Sequence, residues 1–205
     1  MPQDSAKTHQ DILISAKEEF LKHGFAGASQ RRIAANAGVT TGALYRHFHD
    51  KDALFNALVA PVYNEFLAGY QAESIRFLKQ LEEEGMDPMW ASSVSEMSGF
   101  IDYVYANYDT FKLLVTCSEQ SPYEHFTRSL IDMDVRMTAK YLELARQSGY
   151  PVREVSEREL QLVVNAQFSY VLEFIIQDIP YEEAKQLMDS ISRCITAGWK
   201  GLLME

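Results

Sequence analysis

From Ser29 to Lys51 the chain reads SQRRIAANAGVTTGALYRHFHDK. The pattern predicts two short helices joined by a tight turn, then the start of a longer helix. Ser29 suits the N-cap of the first, because a serine hydroxyl can accept from an orphan N–H of the opening turn. Ile33, Ala34 and Ala37 then share one helical face. Gly38 stands where a residue of positive φ ends a helix, and Val39 can fold back onto Ile33 or Ala34. Thr40 is a second capping residue, opening a helix over Thr41–His47 with Leu44 and Phe48 turned inward. Two short helices about a short glycine-containing turn are the signature of a helix-turn-helix, whose second helix enters the DNA major groove.

The residues left outside suit that role. Thr41, Gly42 and Ala43 are small, so the N-terminus of the second helix can approach base edges. Tyr45 and His47 can donate to phosphate, and Arg46 is long enough for a phosphate or a guanine edge. Arg31 and Arg32 fall in the first turn of one helix and Lys51 in the first turn of the next. Positive charge there opposes the helix dipole, which implies an anion nearby. A solvated basic surface accounts for any one of these residues, but not for all of them around one glycine turn.

The longer segment GFAGASQRRIAANAGVTTGALYRHFHDKDALF, residues 24–55, resembles the DNA-binding region of the tetracycline-repressor-type (TetR) family of bacterial transcriptional regulators. The resemblance is carried by Gly24, Phe25, Ser29, Ile33, Ala34, Ala37, Gly38, Val39, Thr40, Gly42, Leu44, Tyr45, His47, Phe48, Lys51 and Leu54. Ala28 departs from it, standing where a threonine is common, which should only weaken a local cap. The match covers about the first quarter of the chain; the rest agrees in length and helical character. What it implies is a homodimer on a palindromic operator, most simply a repressor, released when a small-molecule effector binds the second half.

Charge fits this picture once its distribution is considered. The net charge is −10 over 205 residues. Residues 1–55 carry seven Lys/Arg and six Asp/Glu, a net of +1, and residues 56–205 carry twelve and twenty-three, a net of −11. A locally basic segment supplies phosphate affinity while an acidic body resists non-specific adhesion. There is no apolar run long enough to span a bilayer, and the polar MPQDSAKTHQD start lacks the apolar core of a signal peptide, so a cytoplasmic protein is expected. Cys117 and Cys194 are isolated and read as reduced, buried thiols, with a redox sensor as the lesser reading.

Helical patterning runs almost throughout, so an all-α fold is expected: a three-helix DNA-binding domain over 1–52 and a helical effector-binding and dimerisation domain over 53–205. The first helix, Lys7 to His23, places Ile12, Leu13, Ala16 and Phe20 on one stripe. Gly24 ends it, and Phe25 closes onto Phe20. Asp50 caps a helix running to about Leu81, with a bend expected at Pro61, which cannot donate to the carbonyl of Ala57. That helix would belong to both domains and couple them. After a break at 82–88 come Met89–Ala106, Tyr108–Ser118 and Tyr123–Ser148. Ser156 and Glu159 form a capping box that opens a helix to about Asp178. Pro180 starts the last helix, Tyr181 to Leu203.

The second half is rich in aromatics and methionine, among them Trp90, Met97, Phe126 and Phe174. A cavity for an apolar or amphipathic ligand is one reading, with Phe100, Tyr103, Phe111, Met133, Met137, Tyr141, Asn165 and Phe168 as its lining. A plain helical core is the other, and the resemblance favours a pocket. The wide apolar faces of the last two helices could bury within one chain. The resemblance implies instead a four-helix interface between subunits, through Phe168, Leu172, Ile175, Leu187, Ile191, Ile195 and Trp199. An enzyme is not expected: the chain holds no GxSxG, P-loop, GxGxxG or HExxH motif. No cofactor or metal is implied either, since His47 and His49 point different ways on a helix. A regulator of this fold that acts mainly through a protein partner is the alternative.

Overall fold

The computed structural model describes residues 2–85 and 99–204. The chain is all-α, and no strand occurs among the described residues. In order the helices are α1 (Pro2–Gly27), α2 (Gln30–Asn36), α3 (Thr41–His47), α4 (Lys51–Glu84), α5 (residues 99–106), α6 (Tyr108–Thr116), α7 (Phe126–Gln147), α8 (Glu157–Ile176) and α9 (Tyr181–Leu203). Trp90, Met97 and the expected helix start at Met89 lie outside the described residues. No described helix is long and apolar enough to cross a membrane.

Packing divides the described residues into two compact units. The first comprises residues up to Glu65 together with Tyr108–Thr127; the second comprises residues from 66–107 and 128–205. Beyond the domain expected over 1–52, the first compact unit takes in the start of α4, all of α6 and the loop after it.

The core of the first unit is built on the predicted α1 stripe. Ile12, Ala16 and Phe20 are fully buried, as are Ile33 of α2, Leu44 of α3 and Leu54, Phe55 and Val59 of α4. Phe20, Phe25 and Phe55 form an aromatic knot, with ring centroids 5.1 to 5.8 Å apart. Gly24 breaks the geometry of α1 with φ 67°, but the helix resumes to Gly27. The N–H of Phe25 thereby turns away from α1 and donates to the carbonyl of Cys117 at the end of α6, 2.7 Å. The expected Phe20–Phe25 contact forms, with the orphan N–H satisfied by another helix. Asp50 accepts from the N–H of Ala53, 2.7 Å, and so caps α4 as predicted. Pro61 lies inside α4, which continues across it.

The second unit is centred on Leu81, Ile131, Val135, Leu142, Ala145, Leu160, Val164 and Leu203. The capping box at Ser156 and Glu159 is complete. Glu159 is held down to about 2 by hydrogen bonds from the backbone and hydroxyl of Ser156 and from Arg153. α8 closes two residues earlier than its pattern suggests. Asp178 takes φ 53°, and the N–H of Ile179 returns to the carbonyl of Phe174, 2.9 Å. Aspartate is one of the few side chains that visit this left-handed region. Trp199 of α9 donates its indole N–H to Gln167 of α8, 2.9 Å.

Candidate nucleic-acid interface

The turn between α2 and α3 forms by local rules. Gly38 has φ 68°. Its N–H donates to Ala35 and that of Val39 to Ala34, 3.1 and 2.9 Å, which together make a Schellman closure. Thr40 accepts from the N–H of Ala43, 3.1 Å, and caps α3. Within α3 only Leu44 is buried. Gly42, Tyr45 and Arg46 are exposed, and Thr41, Ala43 and His47 are partly so. The outward face is therefore the one read from the sequence.

α2 departs from expectation at its start. Ser29 occupies the N-cap position, but its hydroxyl makes no capping bond. Its backbone N–H donates instead to Glu19 of α1, 2.9 Å. Arg32 donates to the same carboxylate oxygen through Nε, 2.8 Å, and to the carbonyl of Gly27, 2.9 Å. The anion implied by a basic α2 start is thus, for Arg32, an internal one. The Glu19 side chain is 4% exposed. Burial alone would raise its carboxyl, but the bonds from Arg32 and Ser29 outweigh that and hold it below its ordinary range. Ser15 adds a second tie, donating to the carbonyl of Ile33, 2.9 Å. Ser15 and Glu19 sit one turn apart beside the apolar stripe of α1. A polar pair at that spacing was the available signal for both residues.

Lys51 also has an internal role. Its ammonium donates to the carbonyls of Phe25 and Ala26, 2.7 and 3.3 Å, and lies 4.4 Å from the Phe25 ring centroid. It neutralises the exposed carbonyl end of α1 and ties α4 to it. Of the four basic residues in this segment, Arg31 and Arg46 remain exposed and form no ion pair among the described residues. Tyr45 donates to Gln30, 3.3 Å, while the amide nitrogen of Gln30 is buried without a partner. Gln30, a polar residue that no sequence motif marks, thus orients the phenol at this surface.

The Glu19 cluster makes a prediction about pH. A carboxyl whose folded pKa is depressed contributes stability above its unfolded pKa, and the contribution is lost as pH falls through the folded value. Glu19→Gln should cost about 1–3 kcal/mol at pH 7. The deficit relative to the parent should shrink as pH falls below about 4, the ordinary glutamate range. Thermal melts of both proteins at several pH values measure this. A deficit that stays constant with pH would leave the hydrogen bonds without an ionic component.

The other candidate residues are more dispersed. Phe111 is buried in the first unit, its ring 6.4 Å from Phe126. Asn165 is exposed on α8. Phe100, Tyr103, Met133, Met137 and Phe168 are partly buried, and Tyr141 is buried with its hydroxyl unpartnered. Among the interface candidates, Ile175 is 1% exposed and belongs to the core of its own unit. Leu187 is 41% exposed, and Leu172, Ile191, Ile195 and Trp199 are partly buried. Leu162, Tyr170 and Ile176 of α8, outside the set expected for an interface, are among the large exposed hydrophobics.

Residues 12–58 match the family described as "Bacterial regulatory proteins, tetR family". Over 49 residues the chain is 45% identical to the HTH-type transcriptional repressor AcnR of Corynebacterium diphtheriae, covering 24% of this chain and 26% of that protein. The chain thus matches about a quarter of the length of this relative. A longer match, 20% identical over 201 residues, joins 93% of this chain to 87% of the "Probable acrEF/envCD operon repressor" of Escherichia coli K12. In fold, the TetR family transcriptional regulator PfmR of Thermus thermophilus superposes with a TM-score of 0.60 at 21% identity, covering 91% of this chain and 97% of that one.

Proposed function

We propose that the chain is a DNA-binding transcriptional regulator of the tetR kind that residues 12–58 match, and that it is a repressor that binds a palindromic operator as a homodimer and is released by a small-molecule effector. The observation that carries the DNA-binding part is α3. Its outward face presents Thr41, Gly42, Ala43, Tyr45 and Arg46, while Leu44 anchors it from behind at 0% exposure. Thr40, His47, Ser29 and Arg31 frame that face. The dimer part is supported by Leu162, Tyr170, Ile176 and Leu187, large exposed hydrophobics that all lie on α8 and α9. Exposed apolar surface of this kind commonly marks an interaction site. Two-fold symmetry would then let two copies of α3 read half-sites one or more helical turns apart.

Selection of binding duplexes from a random pool, followed by sedimentation of the complex, tests the reading. A palindromic consensus and an even number of protomers per duplex are expected. Binding that ignores both sequence and salt would sink it and point to a protein partner.

The basic residues should separate in the same assay. Arg31→Ala and Arg46→Ala should each lower the salt slope of binding by roughly one unit, because each removes a free charge from the phosphate surface. Arg32→Ala and Lys51→Ala should act first on stability, since both side chains are already engaged internally. Tyr45→Phe should weaken operator and non-operator DNA alike, because a phosphate contact positions without specifying. If Arg46→Ala instead relaxes preference at one operator position, Arg46 reads a base. A salt slope unchanged in both Arg31→Ala and Arg46→Ala would remove these residues from the interface.

A further inference from the structure

Tyr45 and Gln30 stand on different helices of the first unit and share one hydrogen bond. The phenol of Tyr45, on α3, donates to Oε1 of Gln30, the first residue of α2, at 3.3 Å. That is long for O–H···O, whose range is roughly 2.5–3.0 Å, and near the upper end for N–H···O, about 3.2 Å. The amide nitrogen of Gln30 is buried, and its two hydrogens meet no acceptor among the described residues. Tyr45 is 48% exposed on the outward face of α3. A phenol carries a single proton. Committed to Gln30, that proton is withheld from a phosphate, which can only accept. Glutamine is a side chain that can resolve the conflict. Its carboxamide holds an acceptor and a donor of nearly the same shape, so turning it over about Cγ–Cδ exchanges the two with little change of packing. Nε2 then donates to the phenol oxygen, and the phenol proton is free on the exposed side. A carboxylate at this position would hold the proton in every state. The base of the arrangement is fixed, because Ser29, next in the chain, gives its N–H to Glu19 of α1.

We propose that Gln30 is a positioning residue for DNA binding: on the duplex its amide donates to the Tyr45 hydroxyl, and the hydroxyl donates to a backbone phosphate. This rests on the DNA-binding reading of α3 above and names the group that holds its phenol. Two effects favour the arrangement. Bonds in the series N–H···O–H···O–P polarise one another. The bond to phosphate is charge-assisted, and so stronger than the phenol–amide bond it replaces. Gln30 acts through a phosphate contact, so its contribution is independent of base sequence.

The test uses the full chain, a duplex selected from the random pool, and a mixed-sequence duplex at low salt. Gln30→Met keeps the length and stem of the side chain and removes both donor and acceptor. It should weaken both duplexes by a similar factor, about three- to tenfold, the range of one neutral hydrogen bond. In a Tyr45→Phe background the same substitution should change affinity by less than about twofold, because the proton it served is gone. Nuclear magnetic resonance of isotope-labelled glutamine side chains supplies a second readout. One Gln30 amide proton should shift downfield when the mixed-sequence duplex is added to the parent, and should not in Tyr45→Phe. If Gln30→Met does not fold, this spectral comparison decides alone. The proposal is overturned by no loss in Gln30→Met, or by equal losses with and without the Tyr45 hydroxyl. A loss confined to the selected duplex also overturns it, making Gln30 a reader of bases, as does an amide signal that DNA leaves unmoved. A parent that binds neither duplex fails the DNA-binding reading itself. A parent that binds both, with additive variants, loses only the role of Gln30.

Discussion

Leu44→Ala should detach α3 from its unit and abolish sequence-specific DNA binding. α3 has seven residues, too few to be stable as an isolated helix. Its caps are satisfied by Thr40 and by the chain's own turn, yet caps fix the ends of a helix, not its docking. Docking falls to Leu44, the only buried residue of α3. Truncation removes that apolar contact and leaves a cavity, at a cost of about 2–5 kcal/mol. A unit of this size has about 5–15 kcal/mol in total, so it should remain mostly folded at room temperature while α3 frays. The midpoint of its thermal transition should drop by at least about 8 °C. Operator affinity should fall much further than that of Arg46→Ala, because every residue on the outward face loses its position together. Thr41→Ala serves as the control, removing a partly exposed side chain from the same helix without touching its anchor. If Leu44→Ala binds operator like the parent, α3 is held by something other than its buried leucine.

The second large effect concerns assembly. Ile191→Asp combined with Ile195→Asp should convert the proposed dimer to monomers, because each would place an unpaired carboxylate in an apolar interface. A monomer reaches one half-site, so operator affinity should fall by more than tenfold while single half-site binding survives. Both isoleucines are partly buried within the unit itself, so the double variant also strains the packing of α9. Leu187→Asp separates the two effects. Leu187 is 41% exposed, and a charge there costs the isolated subunit little. Sedimentation should show weakened or lost dimers for Leu187→Asp with the helical content of the parent. A variant that stays dimeric and binds the palindrome normally would place the interface elsewhere.

How much of this was legible in the chain depends on the distance over which each feature is specified. The Schellman closure at Gly38, the caps at Thr40 and Asp50, the box at Ser156 and the start of α9 after Pro180 each involve residues within about five positions of one another. Their geometry follows from backbone preference and short-range hydrogen bonding, and they form where the pattern puts them. The outward face of α3 was legible for the same reason: once Leu44 faces in, the helical period assigns the rest.

The helix-turn-helix, the helical class and the capped ends of most elements are therefore local properties, written in the order of the residues. Which polar groups were already engaged depended on contacts between distant elements. Ser29 leaves its hydroxyl unused because Glu19, ten residues earlier, takes its N–H. Arg32 and Lys51 lose their freedom to carboxylate and carbonyl oxygens brought from α1. Phe111 falls in the first unit and Ile175 in the core of the second, because a helix with apolar residues on more than one side does not announce which side meets its own chain. Tyr70 and Asp134 meet across 64 positions of sequence. No periodicity encodes such a pair. It exists because packing two helices brings a donor to a half-buried acceptor, and that is settled only when the core closes.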